Sequence, residues 1–78
     1  GAAHGLMAAV IQEAEAEGMK RIIVATTNDN LPSLGLYQRL GFTITDILID
    51  KLVEHHGGVE LGFDGIPVRD EIQLELQL

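Results

Sequence analysis

Two short segments of this sequence contain residue types that could perform chemistry. Residues 26–42 read TTNDNLPSLGLYQRLGF and contain Asn30, Ser33 and the only tyrosine of the chain, Tyr37. A phenol can donate a proton to a leaving group, and an Asn side chain can bond a ligand or cap a helix. Tyr37 is therefore a candidate general acid and Asn30 a candidate ligand contact. The alternatives are a core or rim role for Tyr37 and a purely capping role for Asn30.

The second segment, residues 1–5, reads GAAHG and lies where a predicted helix begins. Helix N-termini hold phosphate groups, because free amide N–H groups and the positive end of the helix dipole face the ligand. Gly1, Ala3 and Gly5 are small enough to let a phosphate approach the backbone closely. The segment is a candidate phosphate site. The alternatives are a frayed end or a cloning remnant, with His4 exposed to solvent.

Length and composition limit the class of protein. A chain of 78 residues forms at most one domain with a thin core, and an apolar share of 46% is typical of a globular chain. No apolar run approaches the ~20 residues that a membrane span needs. The absence of cysteine removes disulfides and thiolate metal sites and suits a reducing compartment, so we predict a cytoplasmic location. His55 and His56 are adjacent and would point about 100° apart on a helix, so we predict no metal site.

The charge pattern limits the class of partner. The formal net charge is −7, and the basic residues form no cluster: Lys20, Arg21, Arg39, Lys51 and Arg69. Nucleic-acid binding needs a basic surface that replaces phosphate counterions, so we predict none. An acidic surface favours cationic or amine partners through an attraction that salt weakens.

Apolar periodicity predicts three helices and three strands. Four consecutive apolar residues, 22–25, predict a strand that is buried on both faces. Asn30 and Pro32 predict the start of a helix that Gly41 ends. Strict polar–apolar alternation predicts a last strand with one solvated face. The other predicted boundaries are helices over residues 3–17 and 50–56, strands over residues 21–26, 42–49 and 71–78, and a loop over residues 59–70.

Residues 26–42 resemble the central motif of the GNAT superfamily of N-acetyltransferases. The family pattern N-x-x-A-x-x-hydrophobic-Y-x-x-x-G-F is met by Asn30, Leu36, Tyr37, Gly41 and Phe42, while Ser33 replaces the alanine. Gly1 and Ala3 are similar to the last two positions of the family's pyrophosphate loop, Q/R-x-x-G-x-G/A, whose Arg or Gln is absent here. Residues 64–71 resemble the ending of a bacterial subgroup of the family.

The resemblance implies an α/β fold, which is a partial GNAT-type fold with a three-stranded mixed sheet, two main helices and one short helix. Residues 1–78 would form a single domain equivalent to the C-terminal half of a GNAT acetyltransferase. The other half of that fold supplies the parallel neighbour of the strand over residues 21–26. We therefore expect an open edge on this strand and a homo-oligomer that covers it.

The resemblance also implies acetyl-CoA-dependent transfer of an acetyl group to an amine, on a small molecule or on a protein N-terminus or lysine. Tyr37 matches the position of the acid that protonates the leaving thiolate, and Asn30 the position that contacts the pantetheine arm. The residues implied to bind the cofactor are Gly1, Ala3, His4, Gly5, Asn30 and Ser33. Two other interpretations remain: a non-catalytic oligomeric remnant that acts as a CoA-binding or interaction module, and an unrelated small α/β binding protein.

Overall fold

The computed structural model describes the backbone of residues 2–78 and the side chains of residues 5–54 and 57–78. Within this part of the chain, no helix combines the length and apolar character needed to cross a membrane. The helices are α1 (Ala2–Ala16), α2 (Leu31–Arg39) and α3 (Lys51–His56), and a short 3₁₀ turn covers Phe63–Gly65. The strands are β1 (Arg21–Thr27), β2 (Thr43–Leu48), β3 (Glu60–Leu61), β4 (Pro67–Val68) and β5 (Glu71–Gln77).

The main sheet has the strand order β1-β5-β2. β5 pairs antiparallel with β1, with Val24 opposite Leu74, and antiparallel with β2, with Ile44 opposite the same Leu74. The α/β class, the three-stranded sheet, the two main helices and the short helix are confirmed. Both ladders are antiparallel where a mixed sheet was expected, because β5 lies between the two strands that run parallel to each other.

The core lies on one face of β5. Ile72 and Leu74 are buried there with Phe42, and Leu74 is completely inaccessible to solvent. Burying one leucine side chain stabilises the fold by about 2 kcal/mol. The alternate residues of β5 are less buried, so the predicted alternation of this strand is confirmed. Half-buried residues of α1, of α2 and of the C-terminal cap of α2 pack against this cluster: Met7, Ile11, Leu34, Tyr37 and the cap residue Leu40.

The prediction that the first strand is buried on both faces is wrong. In β1, Ile22 and Val24 are half-buried against the core, whereas Ile23 points to the other face and is 54% exposed. The reason is that both long helices contribute side chains to the same core cluster, which covers only one face of the sheet.

The segment predicted as a loop over residues 59–70 contains a small antiparallel hairpin. β3 and β4 pair through Glu60 opposite Val68 and Leu61 opposite Pro67. The short helix predicted over residues 50–56 begins at Lys51, and an Asp at position 50 is a residue type that commonly caps a helix with its side chain. Asp50 has a left-handed backbone conformation with φ 58° and makes no side-chain cap. Its carboxylate instead accepts hydrogen bonds from the Arg69 guanidinium, the shorter at 3.1 Å.

Candidate functional site

Helix α2 is fixed at both ends by residues of the motif. At its start, Asn30 Oδ1 accepts a hydrogen bond from Ser33 N at 3.2 Å, which supplies one of the four partners that the first helical amides lack. At its end, Gly41 adopts φ 103°, and Phe42 N donates to Tyr37 O at 3.0 Å. The backbone N–H of Asn30 donates to Thr27 O at 3.1 Å, whereas its side-chain nitrogen Nδ2 makes no hydrogen bond within the described residues and remains available as a donor.

Tyr37 lies on the core-facing side of α2 and is half-buried. Its ring packs against Phe42 with a centroid distance of 5.4 Å and an interplanar angle of 55°. Such tilted aromatic pairs are attractive beyond the area that they bury. No described residue hydrogen-bonds the Tyr37 hydroxyl, so apolar contacts hold the ring while its polar end stays unpaired.

The start of α1 lies at the same end of the sheet as Asn30. Gly18, with φ 78°, reverses the chain between α1 and β1, and Met19 N donates to Ala14 O at 3.0 Å. The 15 residues of α1 span about 22 Å, and the seven residues of β1 span about 23 Å. The N-terminus of α1 and the C-terminus of β1 therefore lie at the same end of the molecule.

The predicted phosphate segment is only partly described. Gly1 lies outside the described residues, and so do the side chains of Ala3 and His4. Gly5 lies near the start of α1, where a Cβ atom would meet no atom of the described residues within 4 Å apart from its chain neighbours and the backbone of its own helix. The helix surface at Gly5 is therefore open to a ligand. The structure joins Asn30 and Ser33 directly and places Tyr37 one turn beyond Ser33 on the same helix.

Sequence reasoning missed the role of Asn28. Its Oδ1 accepts from Arg69 N at 2.9 Å and from Asp70 N at 3.0 Å, while its Nδ2 donates to Pro67 O at 2.9 Å. These bonds tie the end of β1 to the chain that leaves the hairpin. No local signal could identify them, since their partners lie 39 to 42 residues away.

Asp29 was missed as well, and it is buried with only 8% of its surface exposed. Its Oδ2 accepts from Phe63 N at 2.9 Å, and its main-chain oxygen accepts from Leu31 N at 2.8 Å. Its Oδ1 has no full hydrogen bond within the described residues. The Thr27 hydroxyl, in a contact short of full hydrogen-bond geometry, and then the Phe63 amide hold the pKa of Asp29 below its usual value, against the opposing effect of burial.

Comparison with known proteins assigns the family. Residues 1–42, more than half of the chain, match the sequence model of the acetyltransferase (GNAT) family. The chain belongs to the GNAT family of acetyltransferases. The matched region contains α1, β1 and α2, so it includes both segments that the sequence predicted to carry chemistry. The interpretation as an unrelated α/β binding protein is thereby excluded.

Solved GNAT structures resemble the whole chain. An acetyltransferase from Bacillus subtilis in complex with CoA is 32% identical with a TM-score of 0.89, over 96% of this chain and 49% of its own. An IAA acetyltransferase from Bacillus cereus is 32% identical with a TM-score of 0.84, and the match covers 95% of this chain and 49% of that protein. A GNAT acetyltransferase from Elizabethkingia anophelis with acetyl-CoA bound is 31% identical with a TM-score of 0.83, and the match covers 95% of this chain and 48% of that protein. This GNAT chain thus spans about half the length of the structures that it matches.

Among curated proteins, none matches this GNAT chain. Within the described residues, no group of three or more His, Asp or Glu side chains is arranged to hold a metal ion.

Proposed function

We propose that this GNAT chain binds acetyl-CoA and contributes the acid group for transfer of the acetyl group to an amine. The observation that carries the proposal is the α2 segment, in which the capping residue Asn30, Ser33 and Tyr37 with its unpaired hydroxyl occupy the motif spacing. Two of the structurally similar acetyltransferases hold acetyl-CoA or CoA, which supports the same ligand here.

The residues of this chain fit such a ligand. The first turn of α1 contains no acidic residue, so its amide groups and dipole can attract a pyrophosphate without opposition. We assign this contact to Gly1, Ala3, His4 and Gly5. We assign the pantetheine contact to the free amide nitrogen of Asn30 and to Ser33, whose short side chain permits close approach.

We assign the acid role to Tyr37. The bound thioester supplies an activated acetyl group, and the departing sulfur must gain a proton. The Tyr37 Oη–H is a suitable donor, since it has no described hydrogen-bond partner and its ring is held against Phe42. The attacking group would be an amine on a small molecule, a protein N-terminus or a lysine. The net charge of −7 favours approach of cationic amines.

Calorimetry with acetyl-CoA tests the binding proposal. We expect measurable heat with the wild-type chain and weaker binding by Asn30→Asp. The Asp side chain can still cap α2 but lacks the amide donor, so the unfolding midpoint should change little. Absence of both heat and thermal shift at millimolar acetyl-CoA would reject cofactor binding. Equal affinity of the two proteins would reject the role of Asn30.

We also propose that residues 1–78 form one domain, equivalent to the C-terminal half of a GNAT acetyltransferase, and that β1 associates through its open edge. Leu78 N donates to Lys20 O at 2.9 Å and Asn28 N donates to Asp70 O at 3.0 Å. The backbone N–H and C=O groups of the even-numbered residues of β1 therefore point toward β5. Antiparallel pairing alternates along a strand. The N–H and C=O groups of Ile23 and Ala25 therefore point away from β5.

This edge has few of the features that prevent association. β1 contains no proline or bulge, and its only charge is Arg21 at its first residue. The opposite edge strand, β2, has a register shift between Ile44 and Asp46 and an acidic residue at that point. Bulges and charges protect edge strands. We therefore propose a homo-oligomer through β1, which light scattering tests; a monomer at all concentrations would contradict it.

The alternative function is a non-catalytic oligomeric module that binds CoA or a protein partner. The open edge of β1 and the exposed Ile23 favour it. A thiol-release assay with a panel of amines separates the two functions, because only an enzyme releases free CoA in response to an amine. In either case we propose a cytoplasmic location, which cell fractionation would check.

A further inference from the structure

The turn formed by Asn28, Asp29 and Asn30 connects the hairpin to the start of α2. Asn28 bonds the chain after β4, and Asp29 bonds Phe63 in the 3₁₀ turn of the hairpin. The next residue, Asn30, is the cap that we assign to the pantetheine contact. The hairpin and the proposed ligand contact therefore depend on neighbouring residues of one turn.

Asp29 forms bonds on both sides of this turn. Its carboxylate accepts from Phe63 N, and its main-chain oxygen accepts from Leu31 N in the first turn of α2, at 2.9 and 2.8 Å. Both bonds satisfy backbone amides that would otherwise lack a protein partner. Asn30 is the single residue between Asp29 and Leu31, so the direction of its backbone depends on both bonds of Asp29.

The Asp29 carboxylate is also confined sterically. Its side chain lies so close to Gly62 that a Cβ atom at that position would overlap the carboxylate and would lie 2.6 Å from Val68 Cγ2. The carboxylate therefore occupies the space that the absence of a side chain at Gly62 leaves, and only 8% of the residue surface is exposed to solvent. Asp29 is therefore held in one position between the hairpin and the turn.

We propose that Asp29 is a positioning residue of the acetyl-CoA site, which fixes the backbone of Asn30 and so the direction of its side chain. The inference rests on the proposed function. Direct ligand contact by Asp29 is not part of it, because Oδ2 bonds Phe63 N and Oδ1 is closed off from solvent. The hairpin holds the turn in place through its bond to this carboxylate, and the ligand contacts the side chain of Asn30.

Three single variants of the full chain test the inference: Asp29→Ala, Asp29→Asn and Leu76→Ala. Leu76 lies at the opposite end of β5, opposite Ile22, so its truncation lowers stability without touching the turn. We expect Asp29→Ala to weaken CoA binding about tenfold or more and Leu76→Ala to leave it nearly unchanged. Asp29→Asn retains an oxygen acceptor for Phe63 N and should recover most of the affinity.

A second readout needs no ligand. Ser33 N is bonded to Asn30 Oδ1, so its hydrogen exchange reports the orientation of Asn30. We expect faster exchange at Ser33 in Asp29→Ala and wild-type protection in Leu76→Ala. Equal protection of the Ser33 amide in wild type and Asp29→Ala would overturn the inference. An equal loss of this protection in Asp29→Ala and Leu76→Ala would overturn it as well. If the wild type binds no CoA, the proposed function fails, while Ser33 exchange still decides the positioning role.

Discussion

At the scale of single residues, the proposed chemistry depends on the hydroxyl of Tyr37. Tyr37→Phe removes the proton donor and keeps the ring that packs 5.4 Å from Phe42. We expect amine-dependent thiol release to fall about 100-fold, the usual contribution of a general acid. Acetyl-CoA affinity and the unfolding midpoint should stay at their wild-type values. Unchanged turnover in this variant would show that another group protonates the leaving thiolate.

Gly62 tests the packing between the hairpin and the turn. A Cβ atom there would overlap the Asp29 carboxylate and Val68, so Gly62→Ala should lower the free energy of unfolding by about 1–3 kcal/mol. Gly58→Ala is the matched control, because a Cβ at Gly58 would meet no atom of the described side chains, residues 5–54 and 57–78, within 4 Å. Urea denaturation measures both. Equal losses in the two variants would contradict the close packing.

Asp29 should also give the protein a specific response to acid. Its pKa is lowered in the folded state, first by the Thr27 hydroxyl and then by the Phe63 amide. A lowered folded pKa adds stability above the unfolded value of about 3.9, and this stability is lost as the pH falls through the folded pKa. The stability difference between wild type and Asp29→Asn should therefore be constant near neutral pH and shrink below about pH 4. Urea midpoints at several pH values check this, and a difference that shrinks near pH 7 would be contrary evidence.

At the scale of elements, α2 depends on its cap. The helix has only nine residues and contains Gly35, which lowers helix propensity. Asn30→Ala removes the acceptor for Ser33 N and should cost about 1 kcal/mol of stability. Asn30→Ser retains an acceptor and should recover most of the loss in a urea titration. Equal losses would mean that the cap contributes little to the fold.

The elements also show what a sequence reveals about a fold. The main helices and β5 were predictable, because their apolar periods of 3.6 and 2 are written along the chain. The exposure of Ile23 was not, since four consecutive apolar residues do not reveal which face a helix covers. The β3–β4 hairpin was not predictable either. Its strands are two residues long, and its contacts with Asn28 and Asp29 span 34 to 42 residues.

Of the candidate site, the sequence predicted the part that a local motif encodes. Asn30, Ser33 and Tyr37 lie within one helix and its cap, so their spacing alone sets their arrangement. The bracing of that cap by the hairpin arises from the tertiary fold. Its signature in the sequence, Asn-Asp before Asn30, is that of an ordinary turn.

At the scale of the whole molecule, the open edge of β1 predicts how copies associate. Ala25→Pro removes an N–H group that points away from β5, so it should block association and leave the β1–β5 ladder intact. Val24→Pro is the control, because it removes a ladder hydrogen bond and should destabilise the fold itself. Light scattering should report a monomer for Ala25→Pro. An unchanged oligomer would place the interface elsewhere.

The central claim is that acetyl-CoA binds between the start of α1 and the Asn30 end of α2. Titration of ¹⁵N-labelled protein with acetyl-CoA, followed by amide chemical shifts, tests it most directly. We predict that the largest shifts fall in residues 2–5 and 30–37, which are distant in sequence, because the start of α1 and the Asn30 end of α2 lie at the same end of the sheet. Shifts confined to other elements, or none at saturating acetyl-CoA, would contradict the claim.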